Sequence, residues 1–342
     1  HARKGVAPAF ASKHITRMND VINNQINTWI IETLMPKYVE TGEPFDVAHE
    51  FLRQVLKGIS LAGFNYSMSD EEANMFITET NIALIEIMAQ AVNPVRKALR
   101  HFIPAARRLV EADKRLHKIA QNVLDHYRST VHSQDETIIS MIVNNDSYSS
   151  DKERLADIRL FFFAGYDTTA YTLCWTLLEL AKNPSEQMKL RNALRGVQIS
   201  ERRNVPELRC VIKEGMRLYP VAVAGGRRAL ANDFTTDKYF LPKGTIVTIS
   251  NIAIHRNAKY FDDPDEFRPS RWKDPSKEAS MAFMPFALGR RNCVGQSLAN
   301  AELYTILATL ISGFEFTVFD EGEKDYFVTL KPVGAKLIAR KV

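Results

Sequence analysis

The sequence predicts a mainly α protein: a large helical domain with small β-sheets. Three observations lead there. Segments 47–61, 69–91 and 104–130 place apolar residues at three- and four-residue steps with charges between them, the period of an amphipathic helix. The apolar stretch from about Asp151 to Lys182 is several times longer than a strand. Runs of β-branched residues are short and confined to the later part of the chain, as in Thr245-Ile246-Val247-Thr248-Ile249.

Taken in order, residues 1–135 read mostly as helix. Ser69-Asp70-Glu71-Glu72 marks a helix start with acidic residues suited to the positive end of the dipole. Pro94 and Pro104 punctuate the connection to the next helix, and residues 144–150 form a polar loop. The helix from Asp151 to Lys182 is stopped by Asn183-Pro184. Within it, residues 160–181 have the length of a membrane span. Asp167, Glu179 and the threonines make a helix at the centre of a helical domain the better reading. A further helix runs from Pro206 to Tyr219, before Pro220. Residues 235–252 form a hairpin region with a turn at Leu241-Pro242-Lys243-Gly244. Residues 256–292 are irregular, 295–312 return to helix, and short strands follow Phe314, with a turn at Pro332-Val333-Gly334.

Composition narrows the class. The chain has 342 residues, 45% hydrophobic and 25% charged, which is globular and large enough for one extensive core. The net charge of +5 suits a docking face for an acidic partner but lacks the dense basic stripe of a nucleic-acid binder. Cys174, Cys210 and Cys293 are odd in number and widely spaced, which argues against a disulfide framework and for a reducing compartment. No CxxC pair occurs, so a structural zinc site has little support.

Three stretches carry chemistry. Phe286-Ala287-Leu288-Gly289-Arg290-Arg291-Asn292-Cys293-Val294-Gly295 matches F-x-x-G-x-R-x-C-x-G in full. Ala164-Gly165-Tyr166-Asp167-Thr168-Thr169 sets a polar cluster in the apolar helix, where burying it is costly. Glu214-Gly215-Met216-Arg217 puts an acid and a base on one helix face. The segment Phe267-Arg268-Pro269-Ser270-Arg271-Trp272 offers Arg271 as a second base. For Cys174 and Cys210, which have no motif around them, a buried small apolar side chain is the reading.

Together these stretches resemble the cytochrome P450 family, and the resemblance runs along essentially the whole chain. It implies the P450 fold over residues 1–342 as a single domain that lacks the family's N-terminal strands and helices. It implies haem b as cofactor, with Cys293 as the thiolate ligand to iron. A thiolate pushes electron density toward iron and favours O–O cleavage. Backbone N–H groups and the following helix N-terminus would keep that sulfur deprotonated. Gly289 and Gly295 would let the loop turn and approach the macrocycle, and Phe286 would pack on the sulfur side. Arg291, Arg227 and Arg3 would pair with propionates. Arg3 corresponds to the arginine of the family's W-x-x-x-R, whose tryptophan would precede His1. Ala164 and Gly165 would leave room for dioxygen, Thr168 would donate a hydrogen bond there, and Asp167 would relay protons from water. Glu214, Arg217 and Arg271 would form a buried ionic lock. The family usually has Glu and Phe where this chain has Ser270 and Trp272, a departure expected to touch packing more than charge.

The activity so implied is insertion of one oxygen atom from O2 into a hydrophobic, lipid- or terpenoid-like substrate, with electrons from NADPH-cytochrome P450 reductase or another redox partner and no role for nucleic acid. Phe161, Phe162, Ala164, Val221, Ala222, Val223 and Val328 would choose the substrate. Val328-Thr329-Leu330-Lys331-Pro332-Val333-Gly334 is similar to the fatty-acid-hydroxylating, eukaryotic microsomal members. For the full-length protein this implies the cytoplasmic face of the endoplasmic reticulum membrane, the anchor lying outside this chain. Two rivals are a haem-thiolate hydroperoxide isomerase or dehydratase, against which Asp167 and Thr168 argue, and an inactive truncated haem-binding remnant.

Overall fold

The computed structural model describes residues 5–99, 102–130 and 137–342. Arg3 lies outside them. Helix α1 (Ser12–Trp29) runs on into a π-wound segment, Ile30–Val39, which contains Pro36. Proline cannot donate to the helix ladder, and the wider winding falls where it sits. A short strand β1 (Phe45–Asp46) leads into α2 (Val47–Phe64), whose first turn is capped by the Asp46 carboxylate accepting the His49 N–H at 2.8 Å. Helix α3 (Asp70–Val92) starts in the predicted place with a full capping box between Ser69 and Glu72. Helix α4 (Pro94–Ala98) bridges to α5 (Pro104–Ser129), and α6 (Ile138–Val143) precedes the central helix α7 (Asp151–Lys182). Prolines open α8 (Pro184–Leu194) and α9 (Pro206–Leu218), at the position where a missing N–H costs nothing.

Strands β2 (Ala224–Ala229), β3 (Phe234–Thr235), β4 (Phe240–Leu241) and β5 (Ile246–Ser250) make two antiparallel pairs, β2 with β5 and β3 with β4. The β2–β5 pair stands clear of the core, with Ile246, Val247 and Ile249 exposed. Short helices α10 (Asn251–His255) and α11 (Lys277–Ala282) interrupt the irregular segment. Helix α12 (Gln296–Gly313) follows the cysteine loop. The chain closes with β6 (Phe314–Asp320), β7 (Glu323–Tyr326), β8 (Leu330–Val333) and β9 (Lys336–Lys341), β9 lying between β1 and β6 and β7 pairing with β8. The turn expected at 332–334 has Gly334 at φ +73°, a conformation open to glycine.

Helix α7 packs against α2, α5, α9, α12 and β6, and every residue from Thr169 to Ala181 is buried. That burial explains its span-like apolarity: it is the core of the molecule rather than a lipid-facing helix. The helix that is long and apolar enough to cross a membrane, among the described residues, is α3, with Ile85, Ile87, Met88 and Val92 exposed. The fold is mainly α with small antiparallel sheets, as the sequence predicts.

Candidate active site

Helices α7 and α12 border a cavity of about 680 Å³. The cysteine loop closes one side. The Cys293 N–H donates to the Phe286 carbonyl at 2.9 Å, and the Ala287 N–H to the Met284 carbonyl at 3.0 Å. Gly289 opens a 3-10 turn at φ +78°, so the glycine is needed for its backbone angle. Gly295 has an ordinary φ of −85° and needs no such freedom; it is the N-cap of α12. Ala287, a residue with a Cβ, also adopts a left-handed φ of +58°, and it lines the cavity. The side chains of Phe286 and Cys293 line it too. None of the three cysteines is in a disulfide; Cys174 and Cys210 are buried and Cys293 is exposed. Burial pushes both buried thiols up, away from reactivity.

Central helix α7 contributes another part of the lining. Ala164 and Thr168 line the cavity one turn apart, and the Thr168 hydroxyl donates to the Ala164 carbonyl at 3.1 Å. Thr172 and Thr176 repeat the pattern onto the carbonyls of Thr168 and Thr172, at 2.8 and 2.7 Å, a stripe of side chains competing with the helix ladder. Gly165 lines the cavity beside Ala164, and packing gives it a further reason. A Cβ there would sit 2.0 Å from the Ile59 Cδ1, so glycine lets α2 pack close. Of the residues expected to choose a substrate, Phe161, Ala164, Val221, Ala222 and Val328 line the cavity. Phe162 does not: about 100° further round the helix, it is buried with its ring 4.4 Å from Phe64 and 5.6 Å from Phe76. Val223 also falls outside the lining.

Asp167 is 4% exposed and lies behind the lining rather than in it. Burial pushes its carboxyl up to about 6, while a hydrogen bond with Thr329 and the charge of Lys331 pull the other way. Its Oδ2 has no partner among the described residues. Arg291 and Arg227 are exposed and stand outside the lining.

The lock residues converge. Glu214 and Arg217 are fully buried, and the guanidinium meets the carboxylate through two bonds of 2.9 Å. The Arg271 Nε and the Arg268 backbone N–H reach Glu214 Oε1, each at 2.9 Å. Arg217 spends its other donors on the carbonyls of His255, Pro264 and Glu266. Trp272, expected to matter for packing, also donates its indole N–H to Glu214 Oε2 at 2.8 Å. His255 ties this region to the cysteine loop, its Nε2 accepting the Met284 N–H at 3.1 Å. Burial, and then the charge of Arg217, push the imidazole down to about 4, so it stays neutral and keeps that acceptor.

One buried acid at the cavity is not singled out by any motif in the sequence. Glu302, on α12, lines the same cavity and is 1% exposed. Burial pushes its carboxyl up to about 8, and a hydrogen bond with Thr169 opposes the shift. The available signal was an acid between Leu298 and Ile306 on the apolar stripe of a helix.

This donor set fits haem b. A single sulfur opens on a cavity walled mostly by apolar groups such as Phe10, Phe161, Leu298 and Val294, at the N-terminus of a long helix whose dipole favours thiolate. The comparisons agree. A family model described as Cytochrome P450 matches residues 1–338. A probable cytochrome P450 508C1 of Dictyostelium discoideum is 29% identical over 89% of this chain and 66% of its own length. A cytokinin hydroxylase of Arabidopsis thaliana is 28% identical over 99% of the chain and 69% of its own length, and cytochrome P450 4F6 of Rattus norvegicus 26% over 92% and 64%. The chain belongs to the cytochrome P450 family, whose members are haem-thiolate monooxygenases holding haem b through a cysteine thiolate. It spans about two thirds of the length of the curated relatives it matches.

Proposed function

We propose that this protein is a haem-thiolate monooxygenase that places one oxygen atom of O2 into a hydrophobic substrate, with electrons from a flavoprotein reductase of the NADPH-cytochrome P450 reductase type. The observation that carries the reading is the one cavity that Cys293 and Thr168 both line. Bound haem b would supply the oxygen-activating redox chemistry. The residues supply the rest. Cys293 would ligate the haem through its sulfur, with the helix that starts at Gln296 favouring the thiolate. Phe286 would shield the sulfur, and Arg291, Arg227 and Arg3 would neutralise propionates, the roles that the family resemblance gives them. Thr168 donates a hydrogen bond at the cavity wall. Asp167, with a carboxyl near neutrality, takes protons from water and hands them on through Thr168. The apolar lining by Phe161, Val221, Ala222 and Val328 selects a lipid- or terpenoid-like molecule and excludes water from it. Attachment to the cytoplasmic face of the endoplasmic reticulum membrane fits the exposed apolar face of α3.

The test is the absorption spectrum of the haem-loaded, reduced, CO-bound chain. A thiolate-type Soret band is expected, and Cys293→Ser should abolish it. A band unchanged in that variant would overturn the ligand assignment. Substrate turnover should require the reductase; turnover of hydroperoxides alone would point to an isomerase instead.

A further inference from the structure

Asp167 and Thr168 are consecutive on α7, and consecutive side chains on a helix project about 100° apart. Thr168 lines the cavity with its hydroxyl on the Ala164 carbonyl, while Asp167 lies behind the lining. Adjacency in sequence therefore does not by itself join the acid to the cavity. Thr329 does. It belongs to the bend between β7 and β8, is 9% exposed, lines the cavity and hydrogen-bonds Asp167. The bend is fastened next to that hydroxyl. The Leu330 carbonyl accepts the Trp175 indole N–H at 3.1 Å, and the Leu330 N–H donates to the Val221 carbonyl at 3.0 Å. Trp175 stands about two turns along α7 from Asp167, so the bend is tied to the helix that carries the acid. Val221 is in the cavity lining, as is Val328 on the other side of Thr329. Held in this way, the Thr329 hydroxyl has little freedom to leave Asp167.

The charges around the acid are few. The Thr329 hydroxyl donates to the carboxylate and opposes the upward push of burial, and the charge of Lys331 on β8 acts in the same direction. Lys331 is itself 3.7 Å from Asp325 of β7. On α7, burial raises the hydroxyls of Tyr166 and Tyr171, which stay neutral; Asp46 and Cys174 act on Tyr171. Glu302 on α12 turns to Thr169. Elements α2, α5, α6, α8, α9, α12 and β6 pack on α7, and no charged group of theirs is among the causes of the Asp167 shift. We infer that Thr329 is a positioning residue for Asp167: from a separate element it holds one carboxyl oxygen in place and spans the lining between the acid and the cavity. The inference rests on the monooxygenase reading, in which Asp167 carries protons. It also makes the bend that presents Val328 to a substrate the same bend that orients the acid.

The haem-loaded full chain is titrated from pH 4 to 10 under infrared observation. The protonated-carboxyl C=O band of Asp167, identified by its absence from Asp167→Asn, should disappear with a midpoint near pH 6. Thr329→Val keeps the shape of the side chain and removes the hydroxyl. Its midpoint should rise by about one pH unit, the worth of one hydrogen bond to a charged group. Thr329→Ser restores a hydroxyl and should bring the midpoint back. A role in packing alone predicts the reverse, since valine fills the space and serine does not. A midpoint unmoved in Thr329→Val overturns the inference, and so does a Thr329→Ser chain that titrates like Thr329→Val. If Thr329→Val does not fold, Thr329→Ala against Thr329→Ser decides by the same criterion, and equal midpoints count against the proposal. Failure of the monooxygenase reading looks different: the parent chain itself would lack the thiolate Soret band, whatever its carboxyl band does.

Discussion

At the scale of single residues, Glu214 shows what a buried charge requires. Both oxygens are filled by donors from Arg217, Arg268, Arg271 and Trp272, and the charge is balanced inside the same cluster. Removing one partner strands the others. Glu214→Ala should therefore cost about 3–5 kcal/mol, read as a lower midpoint in urea unfolding. A loss below about 1 kcal/mol, the level of a surface pair, would contradict the burial described. The three polar residues of this cluster were legible in the sequence, Glu214 and Arg217 from their three-residue spacing on one helix face and Arg271 from the family resemblance of the segment 267–272. The indole of Trp272 was not, because a tryptophan reads as bulk until its N–H is seen to have a partner. Glu302 stayed hidden for a related reason. One acid in an apolar helical stripe is no pattern, and its meaning comes from Thr169, far away along the chain.

At the scale of elements, the close crossing of α9 over α7 depends on Gly215. A Cβ there would stand 2.2 Å from Thr176 Oγ1 and 3.1 Å from its Cβ. Thr176 cannot swing away freely, since it is buried and bonded to the Thr172 carbonyl. Gly215→Ala should destabilise by about 1–3 kcal/mol through overpacking, and Thr176→Ala in the same chain should restore part of it. Additive losses in that double-mutant cycle would show that the two helices do not meet there. Helix starts at Asp70, Pro184 and Pro206 were readable from caps and prolines, since the chemistry is local. The turn of Phe162 away from the cavity was not, because it follows from what α7 packs against.

At the scale of the molecule, buried titratable groups set how stability responds to pH. Asp167 is raised from 3.8 to about 6 and Glu302 from 4.5 to about 8. The folded chain thus holds protons that the unfolded chain has already released, so their contribution is full in acid and is lost as pH rises through those values. His255 is lowered from 6.5 to about 4 and has the opposite sign, its contribution being present above 6.5 and lost as pH falls toward 4. The two effects oppose each other in acid, and between about pH 6.5 and 8 Glu302 acts with little opposition. Thermal unfolding at constant ionic strength should show a midpoint that falls across that window and stays nearly level in Glu302→Gln. Equal slopes in both chains would rule out the buried neutral acid.

The cluster around Glu214 also has a consequence for the order of assembly. Its partners Arg268 and Trp272 lie 54 and 58 residues further along the chain, while α9 itself needs only contacts within one helix. Closing so long a loop is an entropic cost met before any bond forms. The stretch leading to Cys293 can take its final shape only once that loop has closed and Met284 has found His255. The cysteine loop thus depends on contacts made well before it in the chain, and a chain that shows a correct thiolate spectrum has closed the loop between Glu214 and Trp272.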